Sequence, residues 1–143
     1  MGCYLSTPNG EPHFESGEAA GLCFGVCNVQ GWRRNQEDAH IAAPAFDADL
    51  SLFAVFDGHG GAEVALYCER NFGRALRGTR AYAAGDYAVA LRDAFLKVDE
   101  MLRTKEGFAE VCRLKHEHDA KQASTNDAHA ARAGEGDGVH TVR

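Results

Sequence analysis

Two short stretches carry the residue types that chemistry needs. The first is Gly31-Trp32-Arg33-Arg34-Asn35-Gln36-Glu37-Asp38-Ala39-His40, and the second is Asp57-Gly58-His59-Gly60-Gly61. In the second, a carboxylate stands at the tip of an apolar run and is followed by glycines. Glycine has no Cβ, so the backbone carbonyls there are open to a ligand as hard oxygen donors. In the first, Glu37 and Asp38 are adjacent acids. Gathered with Asp57 and the Gly58 carbonyl, they would make an all-oxygen site suited to Mg²⁺ or Mn²⁺. Arg33 offers a planar fork of donors that matches a phosphate. His59 is a side chain of the kind that serves as a general acid. Taken singly, each piece has a plainer meaning: adjacent acids usually face solvent, and D-G-x-G-G is common turn chemistry.

The elements that must position these residues follow from hydrophobic periodicity. Leu22–Val29 alternates like a strand that Gly31 ends, and Ala39–Ala43 is a second short strand closed by Pro44. Asp47-Ala48-Asp49 reads as a hairpin turn into Leu50–Phe56, a nearly continuous apolar run that suits a strand buried on both faces. On this reading the two acidic stretches need not meet through that hairpin alone and would need the curvature of the sheet to bring them together. Val64, Tyr67, Cys68, Phe72, Ala75 and Leu76 recur at helical spacing. Tyr87, Ala90, Leu91, Ala94, Phe95, Val98, Met101 and Leu102 do so more strongly, after a connection at Thr79–Asp86. A weaker helical stretch covers Phe108–Lys115.

The chain divides into an extended arm (1–20), a folded part (21–114) and a tail (115–143) that lacks Leu, Ile, Met, Phe, Tyr and Trp. A segment so poor in large apolar groups is expected to be disordered. With 143 residues, 45% hydrophobic and 25% charged, the whole is one ordinary domain's worth of protein. Its net charge of −6 argues against a general nucleic-acid binder, and no apolar run is long enough to span a membrane.

Cys3, Cys23, Cys27, Cys68 and Cys112 are odd in number and irregular in spacing, a poor disulfide framework. With no secretory signal in view, the cytoplasm or nucleus is expected. Zinc at Cys23 and Cys27, with Cys112, His116 and His118, is disfavoured, because positions i and i+4 of a strand lie roughly 13 Å apart. Met1-Gly2-Cys3-Tyr4-Leu5-Ser6 fits M-G-x-x-x-[ST], which marks Gly2 for N-myristoylation and Cys3 for palmitoylation. Two acyl chains would tie the protein to a membrane surface.

Together and in this order, G-W-R-x-x-x-E-D-A-H and F-x-V-F-D-G-H-G-G resemble the N-terminal part of the metal-dependent protein serine/threonine phosphatases of type 2C, the PPM family. Glu63–Cys68, Ala94–Asp99 and the Met1-Gly2 start are similar to that family's gamma branch. The resemblance implies an α+β fold, part of an α-β-β-α sandwich of two antiparallel sheets flanked by helices. It implies hydrolysis of phosphoserine and phosphothreonine in proteins at a site of two Mg²⁺ or Mn²⁺ ions. By the same resemblance Asp57 bridges the ions, Gly58 gives its carbonyl to one, Glu37 ligates that ion directly or through water, and Asp38 holds metal-bound water beside it. Arg33 binds the substrate phosphate, and His59 protonates the departing oxygen. The nucleophile is water.

The family also uses aspartates in later G-D-S-R-like, D-G and D-N motifs. None follows Leu114, and Gly136-Asp137-Gly138 lacks a flanking apolar strand. The fold and the site are therefore expected to be incomplete, with a non-catalytic binding or regulatory module as the rival reading.

Overall fold

The computed structural model describes residues 4–19 and 21–134. Gly2, Cys3 and Gly136-Asp137-Gly138 lie outside the described residues. Two antiparallel hairpins lead the chain. Strand β1 (Tyr4–Ala19) pairs with β2 (Leu22–Arg33), and β3 (Ala39–Asp47) pairs with β4 (Leu50–Phe56). Four helices follow: α1 (Glu63–Arg77), the single turn α2 (Arg80–Ala83), α3 (Tyr87–Leu102) and α4 (Lys105–Gly134). The result is mixed α and β, two small antiparallel sheets with helices on one side, as part of a sandwich requires.

The core lies between the second hairpin and the helices. Ala39, Phe46, Leu52 and Phe56 face Ala65, Phe72, Ala75 and Leu76 of α1, with Ala90, Ala94 and Val98 of α3 and Leu114 of α4 behind them. Phe72 is 2% exposed, and its ring sits between Phe56 and Phe95 at centroid separations of 5.6 and 4.7 Å. Small residues let the helices approach: Ala90 and Ala94 are fully covered, and a Cβ on Gly73 would stand 3.0 Å from the Phe46 ring.

Three expectations need correction. Strand β4 is buried on one face only: Phe53 is 47% and Val55 76% exposed. The β1–β2 sheet touches that outer face through Phe24 on Phe53, at 5.8 Å between ring centres. It also reaches that face through Glu15, whose carboxylate lies 3.0 Å from His40 Nε2; between these contacts a cleft of about 440 Å³ remains, lined by Val26, Cys27, Ile41 and Val55. Nor is the N-terminal segment a free arm. From Pro12 to Ala19 it pairs with β2 residue for residue, and the irregularity before that falls where Gly31 has a φ of +66°.

The largest correction concerns the tail, of which residues 115–134 are helical as the continuation of α4. Thr104 caps that helix, its Oγ1 accepting from the Gly107 N–H at 3.0 Å. Arg113 pairs with Glu117 at 3.0 Å, one turn along, and Lys115 reaches Glu63 on α1 at 3.7 Å. The stripe turned inward alternates buried Gly107, Leu114 and Gln122 with half-buried Val111, His118 and Asn126. Its second half is polar, so a search for apolar periodicity stops at Leu114.

Two outcomes follow. Leu114→Ala removes a side chain that is 1% exposed and should cost about 2–5 kcal/mol in urea unfolding. Phe108→Ala, on the open face of α4 at 67% exposure, should cost below about 0.5 kcal/mol. Equal costs would mean that α4 does not pack as described. Asp47 is held below the usual carboxylate range by the Tyr82 hydroxyl, at 2.9 Å, and then by the Ala48 N–H. Its contribution to stability is present above the ordinary carboxylate pKa and is lost as pH falls through the depressed one. Tyr82→Phe should move the Asp47 titration, followed by carboxyl NMR, upward; an unchanged midpoint would contradict the assigned cause.

Candidate functional site

The register of the second hairpin builds the site. Ala39 pairs with Phe56, His40 with Val55 and Ile41 with Ala54. Continued by one and two residues past the strand ends, the same register sets Asp38 opposite Asp57 and Glu37 opposite Gly58. Close approach at that second step is direct: a Cβ on Gly58 would collide with the Glu37 carbonyl and stand 2.9 Å from the Glu37 Cβ. The hairpin alone therefore joins the two motifs, and the sheet curvature expected from the sequence is not needed. The strands are rigid because their inner face is the core, with Ala39 and Phe56 both buried.

Beyond Gly58 the chain turns sharply into α1. Gly60 has a φ of +77° and Gly61 of +147°, both in the region that glycine alone enters freely. A Cβ on Gly61 would also strike the Glu63 carboxylate. Asp38, Asp57, His59 and Arg33 are exposed, while Glu37 and Gly58 are half-buried. Arg33 is the last residue of β2, across from Tyr4. Among the described residues, no hydrogen bond or ion pair joins Arg33 or His59 to the carboxylates.

The donors Glu37, Asp38, Asp57 and the Gly58 carbonyl are all oxygen, the chemistry that Mg²⁺ and Mn²⁺ prefer. Among the described residues, however, no three His, Cys, Asp or Glu side chains gather closely enough to hold a metal. In kind the set fits one hard divalent cation with water completing its shell. It does not amount to a closed site for two. Cys23 and Cys27 are exposed on β2.

One side of the site was not foreseen. The loop 34–38, between Arg33 and β3, is gripped by α4 and by Gln30 of β2. His118 Nε2 donates to the Gln36 carbonyl at 2.9 Å; a carbonyl can only accept, so that nitrogen carries the hydrogen. The Gln36 N–H donates to Gln122 Oε1 at 3.3 Å. Asn126 Nδ2 donates to the Arg34 carbonyl at 2.9 Å. From the other side Gln30 Nε2 donates to the carbonyls of Arg33 and Arg34, at 2.9 and 3.0 Å. The amides also bind one another: Gln122 Nε2 to Gln30 Oε1 at 2.9 Å, and Asn9 Nδ2 to the same oxygen at 3.2 Å. A polar cleft of about 290 Å³ opens beside them, bordered by Asp38, Gln36, His118 and Lys121. The sequence signal for this row is His118, Gln122 and Asn126 at steps of four, one side of a helix.

One hairpin thus joins the two acidic motifs, with glycines opening the turn, on a mixed fold of two small antiparallel sheets and helices. The family model described as "Protein phosphatase 2C" matches residues 22–133, and the chain belongs to that family. Among curated relatives, "Probable protein phosphatase 2C 58" of Oryza sativa subsp. japonica is 47% identical over 114 residues, 80% of this chain and 31% of its own length. "Probable protein phosphatase 2C 4" of Paramecium tetraurelia is 44% identical over 115 residues, 80% of this chain and 38% of its own. "Probable protein phosphatase 2C 60" of Arabidopsis thaliana is 40% identical over 114 residues, 80% and 32% respectively. The chain thus spans about a third of the length of the relatives it matches.

The contact between Gly58 and Glu37 has a direct test. Gly58→Ala forces a methyl group into the Glu37 backbone and should cost about 1–3 kcal/mol. Gly10→Ala meets nothing within 4 Å and should lie within about 0.5 kcal/mol of the parent. Thermal unfolding of both variants checks this, and a harmless Gly58→Ala would mean that the two motifs do not touch.

Proposed function

We propose that the chain supplies the phosphate- and metal-facing half of a protein phosphatase site that hydrolyses phosphoserine and phosphothreonine with water as nucleophile. The observation that carries this reading is the β3–β4 register, which brings Glu37-Asp38 beside Asp57-Gly58. Family membership supports the phosphatase class and metal dependence in general. A divalent cation bound there would supply positive charge that acidifies a water and offsets the charge of the phosphate.

The remaining work falls to this chain's own groups. Asp57 and Glu37 offer carboxylate oxygens and Gly58 its carbonyl, all on the tip of a packed hairpin. Asp38 accepts hydrogen bonds from water next to them. Arg33, exposed at the end of β2, presents a fixed fork of donors to phosphate oxygens. His59, on the glycine turn, delivers a proton to the departing serine or threonine oxygen. Holding a second ion requires carboxylates beyond those gathered here. That shortfall favours a second reading, a phosphate-binding module that does not turn over.

Mn²⁺ added to the ¹⁵N-labelled chain should broaden the amide signals of Glu37, Asp38, Asp57 and Gly58 first. Asp57→Asn removes a negative ligand and should abolish that selectivity. Broadening spread evenly over the surface, or the same pattern in the variant, would contradict the reading. With these donors alone, phosphate release from a phosphoserine peptide in millimolar Mn²⁺ should stay near background. Robust release that Asp57→Asn removes would show the site sufficient as it stands and would end the module reading.

A further inference from the structure

We infer that His118, Gln122 and Asn126 of α4 are positioning residues for the candidate site, a polar row that fixes the backbone of loop 34–38. The inference rests on the proposed phosphatase reading for its functional meaning, while its geometry stands on the hydrogen bonds alone.

Loop 34–38 has to do two things: leave Arg33 and deliver Glu37 and Asp38 to the tip of the hairpin. Nothing in its own sequence stiffens it, for Arg34-Asn35-Gln36 has neither proline nor a repeated ladder partner. Strands β2 and β3 belong to different sheets, so no strand ladder spans the gap between them. The loop's backbone groups must find partners elsewhere or be left to water. They find them on α4. Both backbone groups of Gln36 are taken, its N–H by Gln122 and its carbonyl by His118, and the Arg34 carbonyl takes Asn126. Three side chains one turn apart thus clamp three backbone groups along the loop.

The clamp is itself held. Gln122 is buried and saturated: its oxygen serves Gln36, and its two amide hydrogens go to Gln30 and Asn126, at 2.9 and 3.2 Å. Gln30 Nε2 shares its hydrogens among Arg33, Arg34 and Asn126. Among the described residues, no buried side-chain polar atom is left without a partner. Networks in which every member is satisfied are rigid, because any displacement strands a buried amide. The helix carrying the row is fixed one turn before it by Leu114 in the core, and on its flank by Glu117 with Arg70 and Lys115 with Glu63. Glu37 and Asp38 follow Gln36 directly, so a shift of the Gln36 peptide moves both carboxylates. Groups that orient a ligand-bearing segment commonly change metal affinity by tenfold or more when removed.

The test uses the full chain, ¹⁵N-labelled, with Mn²⁺ alone as probe. Gln122→Met keeps the length and packing of the side chain and deletes its hydrogen bonds. It should speed hydrogen exchange of the Gln36 amide at least about tenfold, while Ala94 and Phe72 in the core stay within about twofold. Gln122→Glu keeps the acceptor facing Gln36 and should restore most of the protection of that amide. Gln122→Met should also weaken Mn²⁺ broadening at Glu37 and Asp57 by about tenfold in midpoint. An unchanged Gln36 amide, or equal acceleration at Ala94, would overturn the assignment, since the row would then support the whole fold or nothing. So would faster Gln36 exchange with an unmoved Mn²⁺ midpoint. If the parent chain shows no selective Mn²⁺ broadening, the phosphatase reading fails by itself, and the exchange result still decides whether the loop is clamped.

Discussion

The pairing of Ala39 with Phe56 is the constraint on which the site depends. An antiparallel register has one integer degree of freedom, and a slip of one residue turns every side chain to the other face. Here the inner face carries Ala39, Phe46, Leu52 and Phe56 against α1 and α3, so a slip would expose those groups and bury their neighbours. Hydrophobic burial therefore selects the register, and the register in turn sets Glu37-Asp38 beside Asp57-Gly58. The site is a by-product of core packing: the ring of Phe56 between strand and helix holds in place the aspartate that follows it.

The pieces legible in the sequence were those with a local signature. The D-G-H-G-G turn announces itself by glycine, and three of its features (two positive φ angles and the contact with Glu37) require that residue. Helices α1 and α3 follow the apolar stripes, although Val64 and Phe95 on those stripes remain largely exposed. Less legible was anything that depends on distance through space. The apolar run of β4 suggests two buried faces, yet Val55 is open, because the β1–β2 sheet covers the outer face only in part, at Phe24 on Phe53 and Glu15 on His40. The two acidic motifs seemed to require sheet curvature because their register could not be counted from the turn alone.

Helix α4 shows the limit most clearly. Burial of apolar area is one way to order a segment, and residues 115–134 have little of it. The alternative is to satisfy polar groups that are already obliged to bond. Loop 34–38 supplies unmatched backbone donors and acceptors, and His118, Gln122 and Asn126 supply the complementary ones. Neither partner can be recognised without the other, so composition assigns the segment to solvent. The same economy links fold to function, since the segment ordered in this way is the one next to the carboxylates.

The chain belongs to the protein phosphatase 2C family while spanning about a third of its relatives' length, and its central geometric feature lies wholly within that third. The most direct measurement is a set of backbone proton–proton NOEs across the hairpin. The account predicts that cross-peaks joining residues 39 and 56 continue to 38 with 57 and to 37 with 58. Contacts displaced by one residue, or an end to the ladder at Ala39 with Glu37 and Asp38 turned away from Asp57, would contradict it.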